Sequence, residues 1–392
     1  MEPETIAPSS AENSGSSASL ALNWATIGRI FIKAAVLFIV LNLIFSALQP
    51  VDRLGRLSIY NALVRGRERL PYGEVPAKDY NLTLNNLAAM FASHELSRPK
   101  RADEYRVLVM GDSGIWGWLL GNEQTLVGQL NAMNLHTADG RSIIAYNLGY
   151  PVMSLMKDLV LLDEAMAYEP DMILWPVTLQ SFARNRQLDH PLLQNNAGRV
   201  RELIDRFELN IETGDERLVE RSFLEETIIG RRRDLADLVR LQGYGFAWAA
   251  TGIDQAIPDE INLRAVNLDD DPGWLDISTP RTISDEDLSF DMLAAGIERS
   301  GEVPVLIINE PMFISDGANS DIRYNTFYPR WAYDQYRQRL AEKASSNKWR
   351  YLDLWDAIPA NEFTDTPVHL TPTGSRLLAE LVAPHLIGDD HK

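Results

Sequence analysis

Two short stretches near opposite ends of a 392-residue chain hold residue types that together could carry out acyl chemistry. The first is Gly111-Asp112-Ser113-Gly114, directly after the apolar run Val107-Leu108-Val109-Met110. A serine in a glycine-flanked turn can expose its Oγ and let a substrate approach the backbone closely. Taken alone, a Gly-Asp-Ser tripeptide is a common turn. The second stretch is Asp365-Thr366-Pro367-Val368-His369-Leu370-Thr371-Pro372-Thr373-Gly374. Of the six histidines, His94, His136, His190, His385 and His391 fall in segments that read as helix, loop or tail. Only His369 sits where a loop could return to the working edge of a sheet with a carboxylate a few residues away. A serine hydroxyl needs a base to take its proton, and the base benefits from a carboxylate that fixes its tautomer. Ser113, His369 and Asp365 are therefore the candidate nucleophile, base and orienting acid. The competing reading makes His369 a surface residue at the start of the helix that Thr371-Pro372 announces.

These residues must be placed by the elements around them. Five short, largely apolar runs read as strands buried on both faces: 105–110, 142–147, 171–175, 303–309 and 349–354. Helical patterns at 125–135, 154–168 and 331–345 alternate with them, and a closing helix spans 373–386. Such alternation predicts right-handed crossovers and a parallel sheet. The expected fold is a flavodoxin-like three-layer α/β/α sandwich with a five-stranded parallel sheet. The segment between the third and fourth runs is too long for one crossover. It is read as a helical insertion at about 185–295, with helices over 199–207 and 218–241 and an irregular acidic loop at 258–282. Ligands of such sheets bind beyond the carboxyl ends of the strands, where Ser113 would lie.

The amino-terminal part is of a different kind. Residues 1–23 are rich in Ser, Ala, Glu and Pro and read as a disordered tail. Residues 27–48 form an apolar run, uncharged from Ala34 to Leu48, with Lys33 able to snorkel to an interface. Its length is about that of a bilayer's hydrocarbon core. With no small-residue cleavage site at its end, it reads as a retained signal anchor within 24–50 rather than a removed signal peptide. Residues 51–103 are expected to form a juxtamembrane stalk with short helices, one of them at 82–96, and 104–388 the main domain. Arginines on both sides of the anchor leave the positive-inside count against an exported body, although long carboxyl-terminal domains can translocate despite it.

Composition narrows the functions. With 37 basic and 55 acidic residues the formal charge is −18, which argues against nucleic acid as the main partner. The chain has no cysteine, excluding a thiol nucleophile, disulfides, Cys-ligated zinc and iron–sulfur clusters. No Walker loop, dinucleotide fingerprint or paired-histidine zinc motif is present, and no cofactor or metal is expected. Asp269-Asp270-Asp271 lacks the glycine and terminal glutamate of a calcium loop. Arg231-Arg232-Arg233 is read as a solvated helix face. Asn309, Glu310, Arg323 and Asn325 could either line the site rim or pin a loop.

Taken in order, the blocks resemble the SGNH or GDSL hydrolases over 104–184 and 300–388. Gly111-Asp112-Ser113 is similar to that family's nucleophile block. Asn147-Leu148-Gly149-Tyr150-Pro151-Val152-Met153-Ser154 is similar to the second block, whose glycine gives a backbone N–H to the oxyanion hole. Glu169-Pro170-Asp171 leads to the third block, and His369 through Ala379 is similar to the last. Two departures stand out. The third block normally ends in Gly-x-Asn-Asp, whereas here Thr178-Leu179-Gln180-Ser181 puts Gln180 at the asparagine position. The family's aspartate usually precedes the histidine by three residues, where this chain has Thr366, with Asp365 one residue further back.

The resemblance implies a serine-dependent ester hydrolase or O-acyltransferase. Its oxyanion would be held by the N–H groups of Ser113 and Gly149 and the Gln180 amide, and the site would work as a triad or as a Ser–His dyad. Members with a single amino-terminal anchor act on extracytoplasmic polymers, which implies an exported catalytic domain, the chain's amino terminus inside, and an ester-bearing small molecule or cell-envelope glycan as substrate. A multi-span membrane acyltransferase is the partner it suggests. The alternatives are a lapsed enzyme that binds an acylated glycan, and a membrane scaffold for such a partner.

Overall fold

The computed structural model describes residues 24–72, 86–251 and 260–387. The expected disordered tail, the first residues of the expected 82–96 helix, the start of the 258–282 loop and His391 lie outside these.

Five parallel strands form one sheet: β1 (Glu104–Val109), β2 (Ser142–Asn147), β3 (Met172–Val177), β4 (Val305–Asn309) and β5 (Arg350–Asp353), in the order β2-β1-β3-β4-β5. The strands read from apolar runs are all present, within two residues at most ends. Side chains alternate between the faces of the pleat, so one run feeds two cores. Val107, Val109, Leu174 and Ile308 point to one layer, and Leu108, Ile173, Trp175 and Ile307 to the other.

The helices are α1 (Trp24–Leu48), α2 (Pro50–Gly55), α3 (Ile59–Leu63), α4 (Leu87–Ser93), α5 (Ser113–Trp116), α6 (Leu126–Ala132), α7 (Leu155–Ala165), α8 (Pro191–Asn195), α9 (Ala197–Phe207), α10 (Arg232–Thr251), α11 (Phe290–Ser300), α12 (Arg330–Asn347), α13 (Pro372–Val382) and α14 (Pro384–Ile387). Helices α6 and α13 cover one face of the sheet through Leu126, Leu130, Leu378 and Val382. Helices α4, α7, α11 and α12 cover the other. The result is the three-layer sandwich. Connections leave β1 in one direction and return past it to β3, so the chain's switch point opens at the carboxyl ends of β1 and β3.

Two segments differ from the sequence-based reading. Residues 51–103 contribute Leu70, Met90, Phe91 and Leu96 to the main core, each with no exposed surface, and so pack on the domain. In the insertion, 218–231 is a series of turns and the helix comes later, as α10. Ser222 and Thr227 account for the first part: Glu225 closes back on Ser222 and the Thr227 hydroxyl donates to the Leu224 carbonyl, local bonds that compete with helix. Helix α10 then runs through Gly243 and Gly245. A Cβ at Gly245 would meet the Tyr60 ring at 2.1 Å, so glycine is needed there for helix packing. The basic run at its start is also not wholly solvated: Arg231 is buried against Glu226 and Asp234.

Candidate active site

Strand β1 ends at the turn that delivers Ser113. Gly111 adopts φ 133°, and a Cβ there would strike Ile115. Asp112 caps α5, its carboxylate accepting from the Gly114 N–H at 2.7 Å. Ser113 is the first residue of that short helix, so its N–H has no intrahelical acceptor and stays available.

The second half of the site is a tight hairpin between β5 and α13. Phe363 and Leu370 bridge antiparallel, and the Thr364 N–H donates to the His369 carbonyl at 2.8 Å. The Thr366 hydroxyl accepts from the Val368 and His369 N–H groups, shaping the tip before Pro367. The fold of this loop sets the ring of His369 between its two partners. Its Nε2 is 2.8 Å from Ser113 Oγ, and its Nδ1 is 2.8 Å from Asp365 Oδ1. Trp118 stacks against the imidazole with ring centroids 6.2 Å apart. The Thr364 hydroxyl donates a further bond to Asp365 Oδ1. Burial pushes the Asp365 carboxyl up, but the His369 bond and charge outweigh it and hold it below the usual carboxylate range. The one-residue displacement of the acid is thus absorbed by the turn, and Ser113 joins a histidine 256 residues further on and its neighbouring aspartate in a continuous Ser–His–Asp chain.

Gly149 is buried beside α5, and a Cβ on it would lie 2.4 Å from the Trp116 nitrogen, which explains the glycine by close backbone approach. Its N–H, however, donates to Asn147 Oδ1 at 3.0 Å and is engaged. The same loop carries Val152 at φ 75°, 45% exposed, a strained setting for a β-branched residue. Gln180 follows β3 in a short 3₁₀ turn and is half-buried. Its side-chain amide has no partner among the described residues.

Beneath the nucleophile lies a group that the sequence reading missed. Lys157 of α7 has no exposed surface, and its ammonium donates to the Gly111 carbonyl at 2.8 Å and the Tyr150 carbonyl at 2.5 Å, and pairs with Asp158 at 2.9 Å. One cation therefore ties the nucleophile turn to the Gly149 loop, which is also joined to it by the Tyr150 N–H donating to the Gly111 carbonyl. Asp112 and Glu310 are buried nearby; burial pushes both carboxyls up, Glu310 well above its ordinary range, with the Lys157 charge working against it. A lone lysine within an apolar-periodic helix was the only sequence signal. Asn309, Arg323 and Asn325 pin loops: Asn309 accepts from Tyr333 and Tyr336, Arg323 holds the carbonyls of Asp271 and Gly273, and Asn325 binds the Phe313 carbonyl. Asp271 caps its own turn at Gly273.

No family model matches the chain, and no curated protein does. Solved structures do. A putative lipolytic protein of the G-D-S-L family from Desulfitobacterium hafniense is 10% identical, with 71% of this chain and 98% of that one covered at a TM-score of 0.33. A lipase/acylhydrolase from Enterococcus faecalis is 14% identical, with 72% and 94% covered and a TM-score of 0.34. An aryl esterase from M. smegmatis is 13% identical, with 72% and 97% covered and a TM-score of 0.32.

Proposed function

We propose that the chain is a serine ester hydrolase of the SGNH type, held to a membrane by α1. The observation that carries this reading is the unbroken Ser113–His369–Asp365 hydrogen-bond chain at the switch point of a parallel sheet. His369 Nε2 takes the proton as Ser113 Oγ attacks an ester carbonyl, and returns it to the leaving alcohol. Asp365, an anion through the neutral range, keeps Nδ1–H directed to itself and stabilises the imidazolium that forms. The Ser113 N–H and the Gln180 amide are the donors best placed by their lack of other partners to take the developing oxyanion; Gly149 contributes only if Asn147 releases it. The acyl-enzyme then passes to water or to an acceptor hydroxyl. The anchor favours an acylated component of the cell envelope on the exported side, because it would hold the site near a membrane-borne donor or polymer.

Treatment with a fluorophosphonate probe should modify Ser113 alone. Modification of another serine, or none in a folded protein that hydrolyses aryl esters, would overturn the reading.

A further inference from the structure

Helix α10 has two unlike halves. From Arg232 to Arg240 it carries charges of both signs, whereas from Leu241 to Thr251 it carries none. Its inner face buries Leu238, Leu241 and Gly245 on α2 and α3. Its outer face leaves Val239 74% and Phe246 40% exposed. On α3 and the turn before it, Leu57, Ile59 and Leu63 are each about 60–70% exposed. These apolar groups sit on the part of the domain that meets α1. Phe45, in the last turn of α1, packs into the same cluster as Val51, Tyr60, Leu238 and Leu241.

The length of α1 sets the depth of that cluster. Residues 34–48 are uncharged, fifteen in number. At 1.5 Å per residue they cover about 23 Å of a hydrocarbon core about 30 Å thick. Lys33 snorkelling toward the amino-terminal side extends the span by roughly one turn. That leaves Leu48 at the opposite hydrocarbon boundary with no slack, and Phe45 inside it. Whatever packs on Phe45 is drawn into the interfacial layer.

We propose that the outer face of α10, with Leu57, Ile59 and Leu63, is a lipid-binding platform that lies in the bilayer interface and fixes the domain against the membrane. The proposal rests on α1 crossing the bilayer. The exposed Arg53, Arg56, Arg232 and Arg233 lie on the same elements and supply the positive charge that anionic headgroups attract. The insertion thereby joins anchor and sheet into one body, so that the active site is held at a set height and orientation.

The absence of cysteine makes the test clean. Full-length Val239→Cys, Phe246→Cys, Ile39→Cys and Leu381→Cys are spin-labelled in lipid nanodiscs, and collisions with oxygen and with an aqueous nickel chelate are compared. Labels at 239 and 246 should read about 5–10 Å inside the headgroup–acyl boundary, the depth of interfacial helices. The label at 39 should read deeper, and that at 381, on the opposite layer, fully aqueous. Labels at 239 and 246 as accessible to nickel as the one at 381, with 39 still deep, would overturn the platform and leave the anchor standing. An aqueous label at 39 would overturn both, without bearing on the ester chemistry.

Discussion

Asp365 lies four residues before His369, yet its carboxylate oxygen stands 2.8 Å from the imidazole Nδ1. The Phe363–Leu370 bridge and the Thr364-to-His369 bond fold the intervening residues into a loop that returns on itself. If this contact sets the tautomer, Asp365→Asn should lower kcat/KM on a short-chain aryl ester by about a hundredfold or more. A loss under threefold would mean that another group orients the ring.

Ser113 and His369 should behave as one unit. Either alanine variant should cost about a thousandfold or more in kcat, and the double variant no more than the worse single one. Additive losses would show that the two side chains act separately.

The Gln180 side-chain amide has no partner among the described residues and is proposed as an oxyanion donor. Gln180→Leu should reduce kcat by about ten- to a thousandfold with little change in KM, the mark of a contact made in the transition state. A change confined to KM would place Gln180 in ground-state binding.

Lys157 neutralises a buried group of carboxyls while tying together the Ser113 and Gly149 loops. Lys157→Met should lower stability by about 3–5 kcal/mol, since it leaves buried charge unpaired. The loss should be greater at pH 8 than at pH 5, because protonated carboxyls no longer need the cation. Urea midpoints at the two values check this. Glu310 gives the complementary case. Its carboxyl is raised in the folded state, so the stability it contributes is present below its unfolded value and lost as pH rises. Glu310→Gln should therefore raise the midpoint at pH 8 and leave it little changed at pH 4.

His190 is buried against Tyr150, and burial lowers its imidazole to about 3. Between that value and about 6.5 the unfolded chain binds a proton that the folded one does not. Stability from this group is therefore complete above about pH 6.5 and falls as the pH drops toward 3. His190→Gln should flatten the stability profile across that window, as read by thermal melts at half-unit intervals.

The strands and the sandwich were legible because a strand buried on both faces must be apolar at every position, as 107–109 and 305–308 are. Ser113 and His369 stood out as candidates because each lies in a strand–turn–helix passage with its own punctuation, Gly111 before one and Thr371-Pro372 after the other. Contacts across the chain were not. Only tertiary structure decides that Asn147 occupies the Gly149 N–H, since the residue pair reads the same whether that donor is free or engaged. The turns at 218–231 depend on Ser222 and Thr227 bonding locally, in competition with a helical pattern that periodicity alone favours. Lys157 looked like one polar residue on an amphipathic helix; its meaning comes from two carbonyls and a carboxylate brought around it by separate segments. Periodicity records which faces are buried. It carries no record of what meets them there, and the chemistry at the base of this site is made of those meetings.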